Sequence, residues 1–241
     1  MQNPKRAWYD RPGPVFALIG CALVLAFAAS VGWYTFNYYR VMRSGGASVM
    51  PQYLAAFTPS RIARAEAAGK IPDVNSAAAP YLGNPDAKVT IVEFGDYECE
   101  YTKTEYSAIR TLALEHKDDV KYVWRDFPLE DIHPTAKAAA VAASCAGRSG
   151  RYWQMQDKLF ANQGSFERDD LAGYAEQIGM DRDAFLKCLD AGGDKERIAA
   201  DIAAGTKAVI RGTPTLFVNG ARIEGAVPYE ILKQIVDRLV K

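Results

Sequence analysis

A cysteine at the start of a predicted helix is the residue best suited to chemistry in this chain of 241 residues. Cys99 follows an apolar strand pattern at residues 89–94 and a short acidic loop. A cysteine between a strand and a helix N-terminus is typical of thiol–disulfide sites, which use a second cysteine three positions later. Here that position holds Thr102. The pattern therefore predicts redox chemistry by one thiol, because a hydroxyl cannot complete an intramolecular disulfide.

Two opposing electrostatic effects act on the Cys99 thiol. The unpaired N–H groups and the dipole of a helix N-terminus favour the thiolate. The acidic side chains of Asp96, Glu98 and Glu100 oppose it through like charge. Thr102 can donate a hydrogen bond to the thiolate. Two interpretations follow: a thiol that forms mixed disulfides with substrates, and an inactive site whose cysteine only begins the helix.

Three segments carry a family resemblance. Residues 80–94 are similar to the first strand region of DsbA-like thioredoxin-fold proteins, and residues 212–220 resemble the cis-proline loop and hairpin of that family. Residues 133–160 resemble the helices that the family inserts into the fold. The resemblance covers residues 80–241. It implies an α/β thioredoxin fold with a helical insertion at about 128–208, and a disulfide oxidoreductase or isomerase with a degenerate Cys-x-x-Thr site.

The resemblance also implies roles for residues around the cysteine. Glu93 corresponds to a buried acid that exchanges protons with the thiol. A cis bond between Thr213 and Pro214 would expose backbone groups to an extended peptide substrate. Together with Tyr101, these two residues form the predicted substrate site. The ordinary alternatives are a solvent-facing strand residue at Glu93 and a trans turn at Pro214.

Hydrophobic patterning predicts the elements that hold these residues. Alternation at residues 120–124 predicts a second strand to pair with 89–94. Residues 215–218 and 222–224 predict a hairpin turned by an Asn-Gly pair. The predicted helices cover residues 99–116, 134–145, 152–162, 169–178, 182–189 and 195–208, with a last helix that Pro228 opens.

Two cysteines in the predicted helical insertion suit a structural bond. Cys145 and Cys188 are 43 positions apart. In an oxidising compartment we expect them to form a disulfide worth about 4 kcal/mol, and buried free thiols are the alternative. His116 and His133 lack ligand-like spacing to a cysteine, so we expect no metal and no cofactor.

An apolar segment precedes the predicted domain. No charged residue lies between Arg11 and Arg40, and about 20 apolar residues are enough to cross a bilayer as a helix. Four aromatic residues crowd its distal end, as is typical of a headgroup layer: Trp33, Tyr34, Tyr38 and Tyr39. We predict a cytoplasmic N-terminus at residues 1–13 and a transmembrane anchor at residues 14–39. A cleaved signal peptide with a small-residue cut near residue 28 is the alternative.

A linker joins the anchor to the domain. Residues 40–79 contain a flexible Ser-Gly-rich stretch and a predicted short helix at 59–68. The first 43 residues carry five basic residues and one acidic residue, whereas the remainder is mildly acidic. This charge distribution argues against nucleic-acid binding.

These features predict a single-pass protein of the bacterial inner membrane, with its domain facing the periplasm or the cell exterior. We expect a monothiol disulfide exchanger or isomerase that acts on exported proteins or peptides. Its other expected partners are a membrane redox protein and the lipid bilayer. The alternative function is a catalytically degenerate module that binds peptides or a membrane partner.

Overall fold

The computed structural model describes residues 27, 29–33, 35–36 and 78–241. The described residues of the first three groups are helical and exposed. No helix among the residues so described is long and apolar enough to cross a bilayer. Apart from these residues and residues 78–79, the predicted anchor at 14–39 and the predicted linker at 40–79 lie outside the described part of the chain.

A mixed sheet of five strands forms the centre of residues 78–241. The strands are β1 (Tyr81–Gly83), β2 (Val89–Gly95), β3 (Val120–Asp126), β4 (Thr215–Val218) and β5 (Ala221–Glu224). Their order in the sheet is β1-β3-β2-β4-β5. The pair β2 and β3 is parallel, and the other neighbouring pairs are antiparallel. The predicted strands and the predicted hairpin are therefore present.

Helices surround this sheet. They are α1 (Glu100–Glu115), α2 (Ala136–Gly147), α3 (Tyr152–Ala161), α4 (Arg168–Gln177), α5 (Arg182–Asp190), α6 (Lys195–Lys207) and α7 (Tyr229–Leu239). Helix α1 makes the crossover between the parallel strands β2 and β3, whereas α2 to α6 lie between β3 and β4. A β-α-β unit followed by a hairpin and a helix is a thioredoxin arrangement, as the sequence predicted.

Strand β2 lies inside the sheet, as expected of a strand whose side chains are mostly apolar on both faces. Thr90 and Glu93 are its two polar residues. Phe94 packs edge-on against Phe127 and Phe217, with ring centroids 6.2 Å and 5.9 Å apart. Gly95 ends the strand, and a Cβ atom there would collide with the indole of Trp124. The glycine thus lets the Trp124 ring pack directly against the backbone that leads into the Cys99 loop.

A buried ionic cluster fastens the inserted helices to the sheet. Arg197 on α6 pairs with Asp126 at the end of β3 and with Asp201, each at 2.6 Å. Arg125 pairs with Asp201 as well. These four side chains are all buried, so their charges are balanced mainly by one another.

A disulfide fastens the insertion at another point. Cys145 on α2 is bonded to Cys188 on α5, and their Cα atoms are 5.9 Å apart. The bond therefore links two helices of the insertion to each other rather than the insertion to the sheet.

Candidate functional site

Cys99 begins helix α1. Its backbone is extended, with φ −71° and ψ 121°, and its carbonyl accepts the first intrahelical hydrogen bond, from Lys103 N at 3.1 Å. Among the residues that the structure describes, it is the one cysteine without a disulfide. Its side chain is 5% exposed. The thiol therefore lies at the positive end of the helix dipole, nearly covered by the fold.

The Cys99 thiol faces the loop that precedes β4. Its Sγ donates a hydrogen bond to the carbonyl oxygen of Thr213 at 3.2 Å. The following peptide bond, between Thr213 and Pro214, is cis. The structure thus brings Cys99 to a loop that is 114 positions away in the sequence, as a thiol–peptide exchange site requires.

Two further residues of the predicted site lie on the first turn of α1. Thr102 is fully buried, and its hydroxyl has no hydrogen-bond partner in the described structure. Tyr101 is 61% exposed. The Tyr101 ring therefore lies on the surface, two residues after Cys99, whereas the Thr102 side chain is enclosed by the protein.

The acidic side chains of the loop before Cys99 form hydrogen bonds that hold this loop in place. Asp96 is buried, and its carboxylate accepts hydrogen bonds from the Glu98 and Leu129 amides and contacts His133 Nδ1 at 2.9 Å. The Glu98 carboxylate accepts the N–H of Thr135, the N-cap residue of α2, at 2.8 Å. A carboxylate at a helix N-terminus is stabilised there by the dipole. These two charges are therefore partly compensated by donors from the insertion.

Gln163 holds the same loop from the other side. Its Nε2 donates to the carbonyl oxygens of Tyr97 at 2.8 Å and of Cys99 at 3.0 Å. Gln163 follows helix α3, so its side chain reaches from the insertion to the active-site loop. The position of Cys99 is thus set jointly by the sheet, by α1 and by the inserted helices.

Glu93 lies on β2, six residues before Cys99, and is fully buried. One carboxyl oxygen accepts a hydrogen bond from the Tyr122 hydroxyl at 2.7 Å. Burial disfavours the charged form and raises the pKa of Glu93 from 4.5 to about 8, although the Tyr122 hydrogen bond lowers it. An acid with this pKa can exchange a proton with a thiol near neutral pH.

A second buried carboxyl, Glu105, stands on the inner face of α1. It is 1% exposed, and one of its oxygens accepts the backbone N–H of Val227 at 2.9 Å. Burial raises the pKa of Glu105 well above its ordinary value, and the charge on Glu93 raises it further, against the Val227 hydrogen bond. The site therefore contains two carboxyl groups that interact electrostatically.

This geometry is accompanied by a clear match to a known family. A family model described as thioredoxin matches residues 75–238. The chain belongs to the thioredoxin family. Within that family, its relatives among solved structures are DsbA-like thiol–disulfide oxidoreductases. Thiol–disulfide exchange is the activity for which one of these solved structures is named.

Two solved structures illustrate the likeness. A thioredoxin-like oxidoreductase from Silicibacter pomeroyi DSS-3 is 30% identical, with a TM-score of 0.62 over 68% of this chain and 94% of that chain. The thiol-disulfide exchange protein alpha-DsbA2 from Wolbachia pipientis is 23% identical, with a TM-score of 0.66 over 76% of this chain and 99% of that one. The second comparison shows the shared fold.

The curated relatives are larger proteins. A protein of Salinispora arenicola (strain CNS-205) named Na(+)/H(+) antiporter NhaA 1 is 42% identical over 154 residues, which make up 64% of this chain and 24% of that protein. The chain therefore spans about a quarter of the length of the curated relatives it matches.

Sequence reasoning did not identify Glu105 or Gln163 as site residues. Glu105 carries a signal that could have found it, because it lies three residues after Thr102 in the buried stripe of α1 that continues with Ile109 and Leu112. A carboxyl in such a stripe predicts a buried acid. Gln163 carries no local signal, since the carbonyls it binds are 64 and 66 positions away.

Proposed function

We propose that this chain is a membrane-anchored, extracytoplasmic thiol–disulfide exchange protein that works with a single active-site thiol, Cys99. The observation that carries the proposal is the position of that thiol at the N-terminus of α1, 3.2 Å from the Thr213 carbonyl and next to cis Pro214. Thr102 stands where a resolving cysteine would be. Exchange with a substrate disulfide needs only the Cys99 thiol. A second cysteine, at position 102, is needed only to resolve the mixed disulfide within the chain.

The exchange proceeds without an external oxidant. The Cys99 thiolate attacks one sulfur of a substrate disulfide, the substrate S–S bond breaks, and the other substrate sulfur leaves as a thiolate. A second thiol of the substrate then attacks the substrate sulfur of the mixed disulfide. A new substrate disulfide forms, and Cys99 leaves as a thiolate. One disulfide is consumed and one is made, so the chain rearranges disulfides.

The proposed location is the extracytoplasmic side of the inner membrane. The uncharged stretch between Arg11 and Arg40 supports an anchor, and the bond between Cys145 and Cys188 suits an oxidising compartment. Exported proteins are the proposed substrates, and a membrane redox protein is a proposed partner. The curated relative from Salinispora arenicola, which matches 154 residues of this chain, is named as a Na(+)/H(+) antiporter, which supports a role beside a membrane protein.

A second candidate function is a peptide-binding module without catalysis. Two observations favour it: Thr102 cannot form a disulfide, and Cys99 is only 5% exposed. Such a module would use the backbone at Thr213 to pair with an extended peptide and would not need the thiol.

Restoring the missing cysteine tests the exchange proposal. With a peptide whose single cysteine is disulfide-bonded to glutathione, the unaltered protein should accumulate a one-to-one mixed disulfide at Cys99, because neither the site nor the peptide supplies a second thiol to resolve it. Thr102→Cys should convert this adduct into turnover and give dithiol oxidase activity towards a reduced peptide when an oxidant such as oxidised glutathione is supplied. Mass spectrometry measures the adduct, and peptide oxidation measures the turnover.

Thr104→Cys is the matched control for that substitution. Thr104 lies on the same helix two residues further on and is exposed, so a thiol there should not restore turnover. Cys99→Ser should remove the adduct. Failure of the unaltered protein to form an adduct, together with an inactive Thr102→Cys variant, would sink the exchange proposal. Peptide binding that persists in Cys99→Ser would then support the binding module.

A further inference from the structure

Glu93 and Glu105 have complementary hydrogen-bonding deficits. Each uses one carboxyl oxygen, since Glu93 Oε2 accepts from the Tyr122 hydroxyl and Glu105 Oε1 accepts from the Val227 amide. The remaining oxygens, Glu93 Oε1 and Glu105 Oε2, are buried and have no hydrogen-bond partner in the described structure. A proton held between the two carboxyl groups would give both of these oxygens a partner.

The surroundings do not compensate two negative charges. Tyr122 faces Glu93 from β3, and Arg110 acts electrostatically on that hydroxyl from α1. Leu216 lies opposite Glu93 on β4, and the Val227 amide faces Glu105 from the segment before α7. Within residues 78–241, no cation forms an ion pair with either carboxyl.

The order of ionisation follows from these contacts. Burial raises the pKa of Glu93 to about 8, and the charge that Glu93 then carries raises the pKa of Glu105 further. Two buried carboxyl groups that repel each other lose their protons in separate steps. The charge on an ionised Glu93 therefore favours the protonated form of Glu105.

Glu105 lies on the same helix as the active-site cysteine, whereas Glu93 lies on β2. Thr102 is one turn from Cys99, and Glu105 is one turn further along the same buried face. Six residues of helix correspond to about 9 Å along its axis. Glu105 is thus part of the helix whose N-terminus presents the thiol, and Glu93 is part of the strand that leads to it.

We propose that Glu105 is a positioning residue that shares a proton with Glu93, so that the two carboxyl groups act as one proton-exchange unit for Cys99. This inference rests on the proposed exchange function. Protonated Glu105 donates its O–H to Glu93 Oε1 and stabilises the ionised Glu93. The charged Glu93 takes up the proton that Cys99 releases when its sulfur attacks a substrate disulfide. The same proton returns to Cys99 when a second thiol displaces it from the mixed disulfide.

The pKa of Glu93 in two Glu105 variants tests the proposal. Glu105→Leu removes the donor and should raise the pKa of Glu93 by about one pH unit, since a hydrogen bond to the charged form is lost. Glu105→Gln should keep it near the value of the unaltered protein, because the amide N–H donates in place of the carboxyl. The measurement is an NMR titration of isotope-labelled glutamate carboxyl groups in the full chain.

The opposite sign contradicts the proposal. If Glu105 were an ordinary charged neighbour, both variants would lower the pKa of Glu93 by removing a negative charge. If Glu105→Leu does not fold, the unaltered protein still decides, because its Glu105 signal must stay protonated while Glu93 titrates. Glu196→Gln is the control, since Glu196 is exposed on α6, and it should leave the Glu93 titration unchanged.

The carboxyl titrations and the mixed-disulfide assay of Cys99 together separate this inference from the function on which it rests. If the carboxyl titrations follow the expected pattern but Cys99 forms no mixed disulfide, the proton pair stands and the exchange function fails. If Cys99 exchanges disulfides but Glu105→Leu leaves the titration of Glu93 unmoved, the exchange function stands and the pair is refuted. In an active protein, the pH–rate profile of Cys99 alkylation should move with the Glu93 titration in Glu105→Leu and not in Glu105→Gln.

Discussion

Cys99 is surrounded by hydrogen-bond donors and acceptors that belong to distant parts of the chain. The Thr213 carbonyl accepts from its thiol, and the Gln163 amide donates to its carbonyl. The acids that precede it are engaged with amides at Leu129 and Thr135. The sequence predicted that these acids oppose the thiolate through like charge. Their contacts show that they also hold the loop in place.

The buried Glu93 should make the protein less stable as the pH rises. Its pKa is raised from 4.5 to about 8 on folding, so the folded state binds the proton more tightly than the unfolded state. The stabilisation is therefore complete below about pH 4.5 and is lost as the pH rises through about 8. At about 1.4 kcal/mol for each pKa unit, the loss is on the order of 5 kcal/mol.

Urea denaturation at a series of pH values between these limits measures the effect. Glu93→Gln should flatten the dependence and should be more stable than the unaltered protein at the alkaline end, because no buried charge develops at that position. Glu196→Gln, at an exposed site, should retain the full slope. A stability that rises with pH over this range would refute the expected burial of a neutral Glu93.

At the scale of elements, the insertion supports the active site as well as extending the fold. The loop from β2 to α1 is bound by the segment between β3 and α2, through Leu129, His133 and Thr135, and by Gln163 after α3. The ionic cluster of Arg197, Asp126 and Asp201 ties α6 to β3. The inserted helices must therefore be in place before the Cys99 loop can adopt its conformation.

The disulfide within the insertion should contribute to stability and not to exchange. Its loop spans 43 residues, for which the chain-entropy argument gives about 4 kcal/mol. Replacing both Cys145 and Cys188 with alanine should lower the free energy of unfolding by about that amount, measured in urea. Replacing the exposed Thr104 of α1 with alanine is the control and should leave the free energy of unfolding nearly unchanged. A double variant as stable as the unaltered protein would show that the bond is dispensable.

Most helices and strands were predictable because their hydrophobic patterns are local. The features that were missed depend on partners far away in the sequence. The strands at 89–94 and 120–124 and the helices of the insertion carry their own periodicity, so the sequence alone predicted them. Strand β1 is only three residues long, and it exists because Tyr81 can pair with Val123 on β3. Nothing in its own sequence predicts that pairing. Gln163 was missed for the same reason.

The candidate site was predictable to the extent that it follows from family resemblance. Cys99 was predicted from its place between a strand and a helix, whereas Thr213 and Pro214 were predicted from a segment that resembles a known family. The structure brings the three together. The partnership of Glu93 with Glu105 depends on how α1 packs over β2. Sequence spacing indicates the inner face of α1, but it does not indicate which strand residue that face will meet.

At the scale of the whole molecule, the proposal holds the domain at a membrane. An uncharged stretch of apolar and aromatic residues lies between Arg11 and Arg40, and a Ser-Gly-rich linker follows it. A cleaved signal peptide would instead release the domain. The two arrangements differ in what remains at the N-terminus of the mature protein.

Fractionation of cells that produce the full chain distinguishes anchor from signal peptide. We expect the mature protein to keep residues 14–39 and to stay in the membrane pellet after carbonate extraction, because about 20 apolar residues provide enough transfer free energy to hold a helix in the bilayer. Replacing Leu23 and Leu25 with arginine should release it into the carbonate supernatant or prevent its export, since each charge near the centre of such a helix costs about 3 kcal/mol. Substituting Leu114, an exposed residue of α1, with arginine is the control and should leave the protein in the pellet. N-terminal sequencing that finds the unaltered chain beginning near residue 29, in the soluble extracytoplasmic fraction, would overturn the anchor and leave a periplasmic exchange protein free to diffuse to its substrates.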